Sequence, residues 1–154
     1  MEIISRSPQQ TASLAAGLAS FLYGGDVIFL IGELGAGKTF FIRNTAEALG
    51  VTEPVTSPSF TMAQTYGGTT TVHHLDLYRL PKFDSSDAID FEPFFEAEAI
   101  TFIEWPEQAV PFLEEPAVVV RMEHVNINSR RISIQSSRKE LIRGMEKAIA
   151  DLVD

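Results

Sequence analysis

Apolar residues in this chain recur at two different periods, and the changes between them mark its elements. Leu14, Leu18, Phe21 and Leu22 fall on one face at helical spacing. Ser7 is placed to N-cap that helix, Pro8 suits its first position, and Gln10 completes a capping-box spacing. Gly24-Gly25 ends it. Residues 27–31 are a short, continuous, β-branched apolar run, which predicts a strand buried on both faces of a helix-covered parallel sheet. A glycine-rich turn over 32–37 leads into a second helix of about ten residues, ending near Leu49-Gly50. The Pro- and Thr-rich stretch 52–59 reads as a loop. Residues 60–66 and 69–78 read as two strands joined by a tight hairpin turn at Gly67-Gly68. The acidic, aromatic stretch 84–97 predicts short helical turns, and 99–104 another buried strand. Two more strands follow at 117–125 and 131–135. A last helix starts at Ser137, with Glu140 at capping-box spacing and Leu141, Met145, Ile149 and Leu152 as its buried stripe. The order of elements predicts an α/β sandwich with a mixed β-sheet.

Composition narrows this picture. At 154 residues, with no repeat, long linker or low-complexity tract, the chain is expected to form a single domain over 1–154. That length buries a sizeable core without disulfides or metals. With 45% apolar and 21% charged residues, close to the globular average, the composition argues against wholesale disorder. Twelve basic against 21 acidic residues give a net charge of −9, which argues against strong direct nucleic-acid binding but not against assisting an enzyme that acts on it. Cysteine is absent, so disulfides, thiolate metal sites and Cys nucleophiles are ruled out, in keeping with a reducing cytoplasm. No apolar run reaches the ~18–20 residues of a membrane span, and the N-terminus lacks a secretory layout. A cytoplasmic location with no membrane partner is the expectation.

The chemistry concentrates in Gly32-Glu33-Leu34-Gly35-Ala36-Gly37-Lys38-Thr39, which matches G-x-x-x-x-G-K-[ST] between a buried strand and a helix. Such a loop must curl so that successive backbone N–H groups face a polyphosphate, and glycine permits both the dihedrals and the close approach. The following helix adds the positive end of its dipole. Lys38 is then placed to neutralise β- and γ-phosphates, and the Thr39 hydroxyl to ligate Mg²⁺. The bland alternative is a glycine-rich turn carrying a surface lysine. The whole chain is therefore expected to be a P-loop NTPase-like three-layer sandwich binding a nucleoside triphosphate with Mg²⁺.

A P-loop needs an acidic anchor on a neighbouring strand. Asp76 lies inside a strand pattern where aspartate is unfavourable. Glu104 ends an apolar run, at the strand edge where open α/β sheets bind ligands. Either can hold the metal, with the other orienting the attacking water. The structural alternatives are a solvated edge-strand residue or an ion-pair partner of Arg79 for Asp76, and an N-cap-like acid before Pro106 for Glu104. Trp105, the only tryptophan, adjoins Glu104 and either stacks near the nucleotide or fills the core rim. His73 and His74 point to opposite faces of a strand, so a joint metal site is not expected, and His74 reads as a packing or supporting residue.

Four separated segments together resemble one family. They are the loop at 32–39, Thr56-Ser57-Pro58-Ser59-Phe60, His74-Leu75-Asp76-Leu77-Tyr78-Arg79 and Ile103-Glu104-Trp105-Pro106-Glu107. Their set and order are similar to the bacterial TsaE (YjeE) family, the ATPase component of tRNA threonylcarbamoyladenosine biosynthesis, over roughly residues 10 to 135. The resemblance implies a protein that binds ATP with Mg²⁺, hydrolyses it slowly alone, and works with TsaB and TsaD partners that modify adenosine 37 of tRNA. It implies phosphate and metal roles for Lys38 and Thr39, acidic roles for Asp76 and Glu104, and Trp105 beside the nucleotide. It makes 57–60 a γ-phosphate-sensing switch loop. Contact with tRNA would be indirect. The chain departs from the family at Ser59, commonly threonine, at Phe40, a second threonine in many members, and at Asp90, a glycine.

Three rival readings remain. A P-loop small-molecule kinase needs an acceptor pocket and an Arg-rich lid; Arg121, Arg130 and Arg131 lie among strand candidates instead. A GTPase needs an Asn-Lys-x-Asp motif, which is absent. A nucleotide-gated binding module would use ATP to order a partner surface without productive hydrolysis.

Overall fold

The computed structural model describes residues 1–58, 62–78 and 91–153. Seven strands form one mixed sheet: β1 (Glu2–Ser5), β2 (Val27–Ile31), β3 (Ala63–Tyr66), β4 (Thr71–Asp76), β5 (Ala99–Glu104), β6 (Val118–His124) and β7 (Arg130–Gln135). Their spatial order is β1-β7-β6-β2-β5-β4-β3. The central four, β6, β2, β5 and β4, run parallel, while β1, β7 and β3 attach antiparallel at the flanks. The three helices are α1 (Pro8–Ala19), α2 (Lys38–Ala48) and α3 (Lys139–Val153).

The two faces of the sheet are covered differently. Alternating side chains send Ile28 and Leu30 of β2 to one side and Val27 and Phe29 to the other. On the first side they meet Leu14 and Leu18 of α1, Phe41 and Ile42 of α2, and Leu141 and Met145 of α3. On the second they meet Leu75, Ile103, Phe91 and Ala109, with 3₁₀ turns at Glu92–Phe94, Pro106–Gln108 and Val110–Phe112 lying over that face. The result is a three-layer α/β sandwich, as expected. No helix of the described residues is long and apolar enough to cross a membrane.

Local signals placed the first helix well. The Ser7 side chain accepts the Gln10 N–H, and the Gln10 side chain accepts the N–H of Arg6, one residue before the cap. The helix stops at Ala19, short of Phe21 and Leu22. Phe21 instead packs where Gly144 leaves room on α3; a Cβ there would lie 2.1 Å from its ring.

Several details differ from the sequence reading. β1 was not anticipated; four residues with mixed exposure carry no strong period, and the strand forms because β7 offers it a register. Tyr66 pairs with Val72, so residues 67–71 span a wider connection than a tight hairpin turn. Gly68 lies against the Gly50 carbonyl, where a Cβ would approach to 2.8 Å, and this docking sets the turn. β4 ends at Asp76 rather than 78. α3 begins at Lys139, and the Ser136 hydroxyl, not Ser137, accepts a backbone N–H there, from Arg138 at 3.1 Å. Predicted positions 59–61 and 84–90 lie outside the described residues.

Candidate functional site

Parallel pairing brings the chemistry to one edge. Leu30 registers with Glu104, and Asp76 registers with Glu104 from the other side. The loop leaving β2 and the two acids therefore stand side by side at the carboxyl ends of adjacent strands, where α/β sheets bind ligands.

The loop is tightly constrained. Gly35 and Gly37 have φ of +79° and +101°, conformations that side chains strain to adopt. A Cβ on Gly32 would lie 2.5 Å from the Met122 carbonyl oxygen. Gly37 begins α2 with no side-chain cap, so the helix presents its first amides to the loop's interior. An uncapped helix start under a glycine-rich bend fits an anionic polyphosphate. Arg130 braces the bend by donating from Nε to the Ala36 carbonyl at 2.9 Å. Sequence reasoning missed this contact, which spans 94 positions and has no local signal. Glu33 and Leu34 form the exposed outer rim.

Lys38 is buried against this loop. It donates to the Gly32 carbonyl and, at 3.5 Å, to that of Glu33. Its ammonium sits 3.7 Å from the centroid of the Trp105 ring. Burial pulls its pKa below 10.5, partly opposed by the negative charges of Glu104, Asp76 and Glu107. Trp105 therefore adjoins the loop, and it also packs against the core on the second side of the sheet. It has a left-handed backbone, φ +57°, and its ring lies 4.9 Å from that of Tyr78. That conformation costs a non-glycine residue about 1–3 kcal/mol and persists because the ring is held on both sides.

Beside Lys38, the Thr39 hydroxyl donates to Glu104 Oε2 at 2.9 Å. His74 Nε2 contacts the same oxygen at 2.6 Å. A carboxylate accepts only, so the proton on this contact belongs to His74. His74 is thus a supporting residue for Glu104, and the reading of Glu104 as a mere cap before Pro106 is set aside. His73 faces the other way, bonded to Thr65 Oγ1 at 2.9 Å and edge-on to Phe94. Burial lowers its pKa, with Glu96 opposing. The two histidines share no site.

Asp76 is the more open acid. Its Oδ1 accepts the Tyr78 N–H at 3.0 Å, and its Oδ2 accepts the Ser57 hydroxyl at 3.3 Å. Ser57 arrives there because buried Val51 and Val55 anchor its segment and Arg43 Nε holds the Val55 carbonyl at 3.1 Å. A cleft of about 350 Å³ is lined by Lys38, Thr39, Ser57, Asp76, Glu104 and Trp105. Among the described residues no cluster of three or more His, Asp or Glu forms a ready cation cage. The oxygens of Thr39, Asp76 and Glu104 instead suit Mg²⁺, which binds through one or two carboxylates together with substrate phosphates. Arg79, Ser59, Phe60 and Asp90 lie outside the described residues.

Comparison with known proteins agrees with this layout. Residues 5–132 match the family model for threonylcarbamoyl adenosine biosynthesis protein TsaE. The chain is similar to the tRNA threonylcarbamoyladenosine biosynthesis protein TsaE of Aquifex aeolicus, 38% identical over 136 residues (86% of this chain, 94% of that one). It is 34% identical over 134 residues to the Treponema pallidum protein of that name (87% and 99%). The crystal structure of Bacillus subtilis YdiB superposes with a TM-score of 0.78 at 25% identity, covering 98% of this chain and 95% of that one. By sequence and by fold, the chain belongs to the TsaE family.

Proposed function

We propose that the chain binds ATP with Mg²⁺ on the 32–39 loop and hydrolyses it in support of N6-threonylcarbamoyladenosine formation at tRNA position 37, together with TsaB- and TsaD-type partners. The observation that carries this reading is the Thr39–Glu104–His74 hydrogen-bond chain, set beside the uncapped start of α2. The loop amides and Lys38 hold the β- and γ-phosphates, which requires Lys38 to exchange the Gly32 and Glu33 carbonyls for phosphate oxygens. Thr39 and Glu104, with Asp76 directly or through water, hold Mg²⁺, which would offset phosphate charge when bound. Asp76 and Glu104 divide metal anchoring and alignment of the attacking water between them. His74 keeps Glu104 oriented by a bond that leaves its second oxygen available.

The kinase alternative gains no support, because Arg130 and Arg131 are engaged with the Ala36 carbonyl and with Glu123. Partners carry the tRNA contact, since a net charge of −9 gives this chain little affinity for a polyanion.

The test is ATP turnover by the purified chain, alone and with the two partners. Turnover should be slow alone and strongly stimulated by the partners. Lys38→Ala should lower stimulated turnover by at least ~10²-fold, as removal of a transition-state charge partner does. Normal turnover in Lys38→Ala would defeat the assignment. If Glu104→Gln leaves turnover unchanged while partner binding still needs ATP, the binding-module reading wins.

A further inference from the structure

One peptide in the bend over 32–39 has no local anchor. Gly37 sits at φ +101°, and glycine adopts the opposite sign of φ about as readily. It starts α2 without a side-chain cap, and no backbone amide of the described residues reaches the Ala36 carbonyl before it. Sterics alone leave the Ala36–Gly37 plane free to present either its N–H or its carbonyl to a bound anion. A trans peptide points the two in opposite directions, so fixing the carbonyl also fixes the amide. Arg130 Nε fixes the carbonyl, at 2.9 Å. The Gly37 N–H is thereby turned away from Arg130, and it has no partner among the described residues.

Arg130 is itself rigidly placed. It opens β7, where Ser5 of β1 and His124 of β6 register with it from the two sides. Its Nη1 donates to the Asn126 and Ser129 carbonyls at 2.8 and 3.0 Å. Asn126 Oδ1 closes the same turn by accepting the N–H groups of Asn128 and Ser129. Ala36 is fully buried, and its carbonyl needs only a neutral donor. Arg130 brings a full charge instead, and among the described residues no carboxylate pairs with it. Arg131 next to it pairs with Glu2 and Glu123, and Arg138 with Asp26. In a chain with 21 acidic residues, a guanidinium held on carbonyls alone beside the phosphate loop keeps its charge for an anion.

We propose that Arg130 is a positioning residue for the bound phosphates. It holds the Ala36–Gly37 peptide so that the Gly37 amide faces the anion, and its unpaired charge adds to the attraction of the loop. The proposal rests on the phosphate-loop reading and deepens it with a residue 94 positions away from the peptide it sets. Calorimetric titration of the full chain with ADP and with inorganic tripolyphosphate, both with Mg²⁺, tests it. Arg130→Ala should weaken the two ligands in parallel, by about tenfold, the loss expected when one donor turns away from a charged acceptor. Arg130→Lys keeps the charge without the planar fork and should show a smaller parallel loss. Methylguanidinium should restore tripolyphosphate affinity to Arg130→Ala and leave the wild type unchanged. Arg131→Ala removes the same charge from the neighbouring position and should bind both ligands as the wild type does. The Gly37 amide proton should move downfield when tripolyphosphate binds the wild type and stay in place in Arg130→Ala. A merely structural loss would lower the number of binding sites and leave that shift intact in the folded fraction.

Unchanged affinity for both ligands in Arg130→Ala, or in Arg130→Lys if the alanine variant does not fold, would overturn the proposal. So would an equal loss in Arg131→Ala, which would reduce the effect to net charge. Loss of ADP binding with tripolyphosphate affinity intact would overturn it as well, since the loop amides would then be undisturbed. A wild-type chain that binds neither ligand would instead sink the phosphate-loop reading beneath it.

Discussion

Two buried carboxylates sit at opposite ends of the sheet's centre and are treated in opposite ways. Asp26, just before β2, is 3% exposed, and so is Glu104 at the end of β5. Asp26 is closed off: the Arg138 guanidinium holds both its oxygens, and the Tyr23 N–H adds a bond to Oδ2 at 2.9 Å. Arg138 also packs over the Tyr23 ring, and its hydrogen bond to Asp26 raises its pKa further. Among the described residues, Glu104 accepts from a hydroxyl and an imidazole N–H, both on Oε2. A carboxylate neutralised by a cation of its own chain ties elements together. One held by a hydroxyl and an imidazole, with no guanidinium closed over it, keeps an oxygen for a cation from outside, at the expense of burying charge.

The largest effect should come from breaking the closed pair. Arg138→Ala leaves Asp26 buried without its cation and should cost about 3–5 kcal/mol of stability, read by chemical denaturation. Glu104→Gln should behave in the reverse manner, keeping the thermal transition while lowering partner-stimulated turnover by about 10²–10³-fold. A large stability loss there would place Glu104 with Asp26 as a structural acid. His74→Ala is the next step down. Loss of a residue that orients a metal-side carboxylate should reduce turnover by about 10–100-fold and raise the Mg²⁺ concentration needed for half-maximal rate. An unchanged Mg²⁺ requirement would make His74 a packing residue only.

The smallest effect concerns His73, on the far side of β4 from Glu104. Its folded pKa is lowered from 6.5 by burial, so the unfolded chain takes up a proton first as the pH falls. Its contribution to stability is therefore fully present above about pH 6.5 and is lost as the pH drops from there toward the lowered folded value. Denaturation midpoints of the native chain and His73→Gln, followed from neutral to mildly acidic pH, should diverge in that window, the variant being the flatter. Parallel curves would show that burial does not weigh on His73.

Much of the molecule was legible because its signals are local. Ser7, Pro8 and Gln10 cap a helix through bonds between near neighbours. The run at Val27–Ile31 makes a central strand whichever elements flank it, since only a doubly covered position tolerates five apolar residues in a row. Residues 32–39 state their own geometry, because Gly35 and Gly37 are placed where the bend demands positive φ. The missed elements lack such signals. β1 is four residues that become a strand only against β7, and the start of α3 depends on which serine hydroxyl accepts the Arg138 N–H.

Sequence by itself determined most of the elements, the phosphate-loop bend and the identity of two candidate acids, all from residues within a few positions of one another. Only the tertiary structure decided that Glu104 meets Thr39 across 65 positions and His74 across 30, and that Asp76 stands one strand farther out beside Ser57. Those contacts follow from strand order and register, which arise when distant apolar faces are buried together. No short stretch of chain encodes that choice.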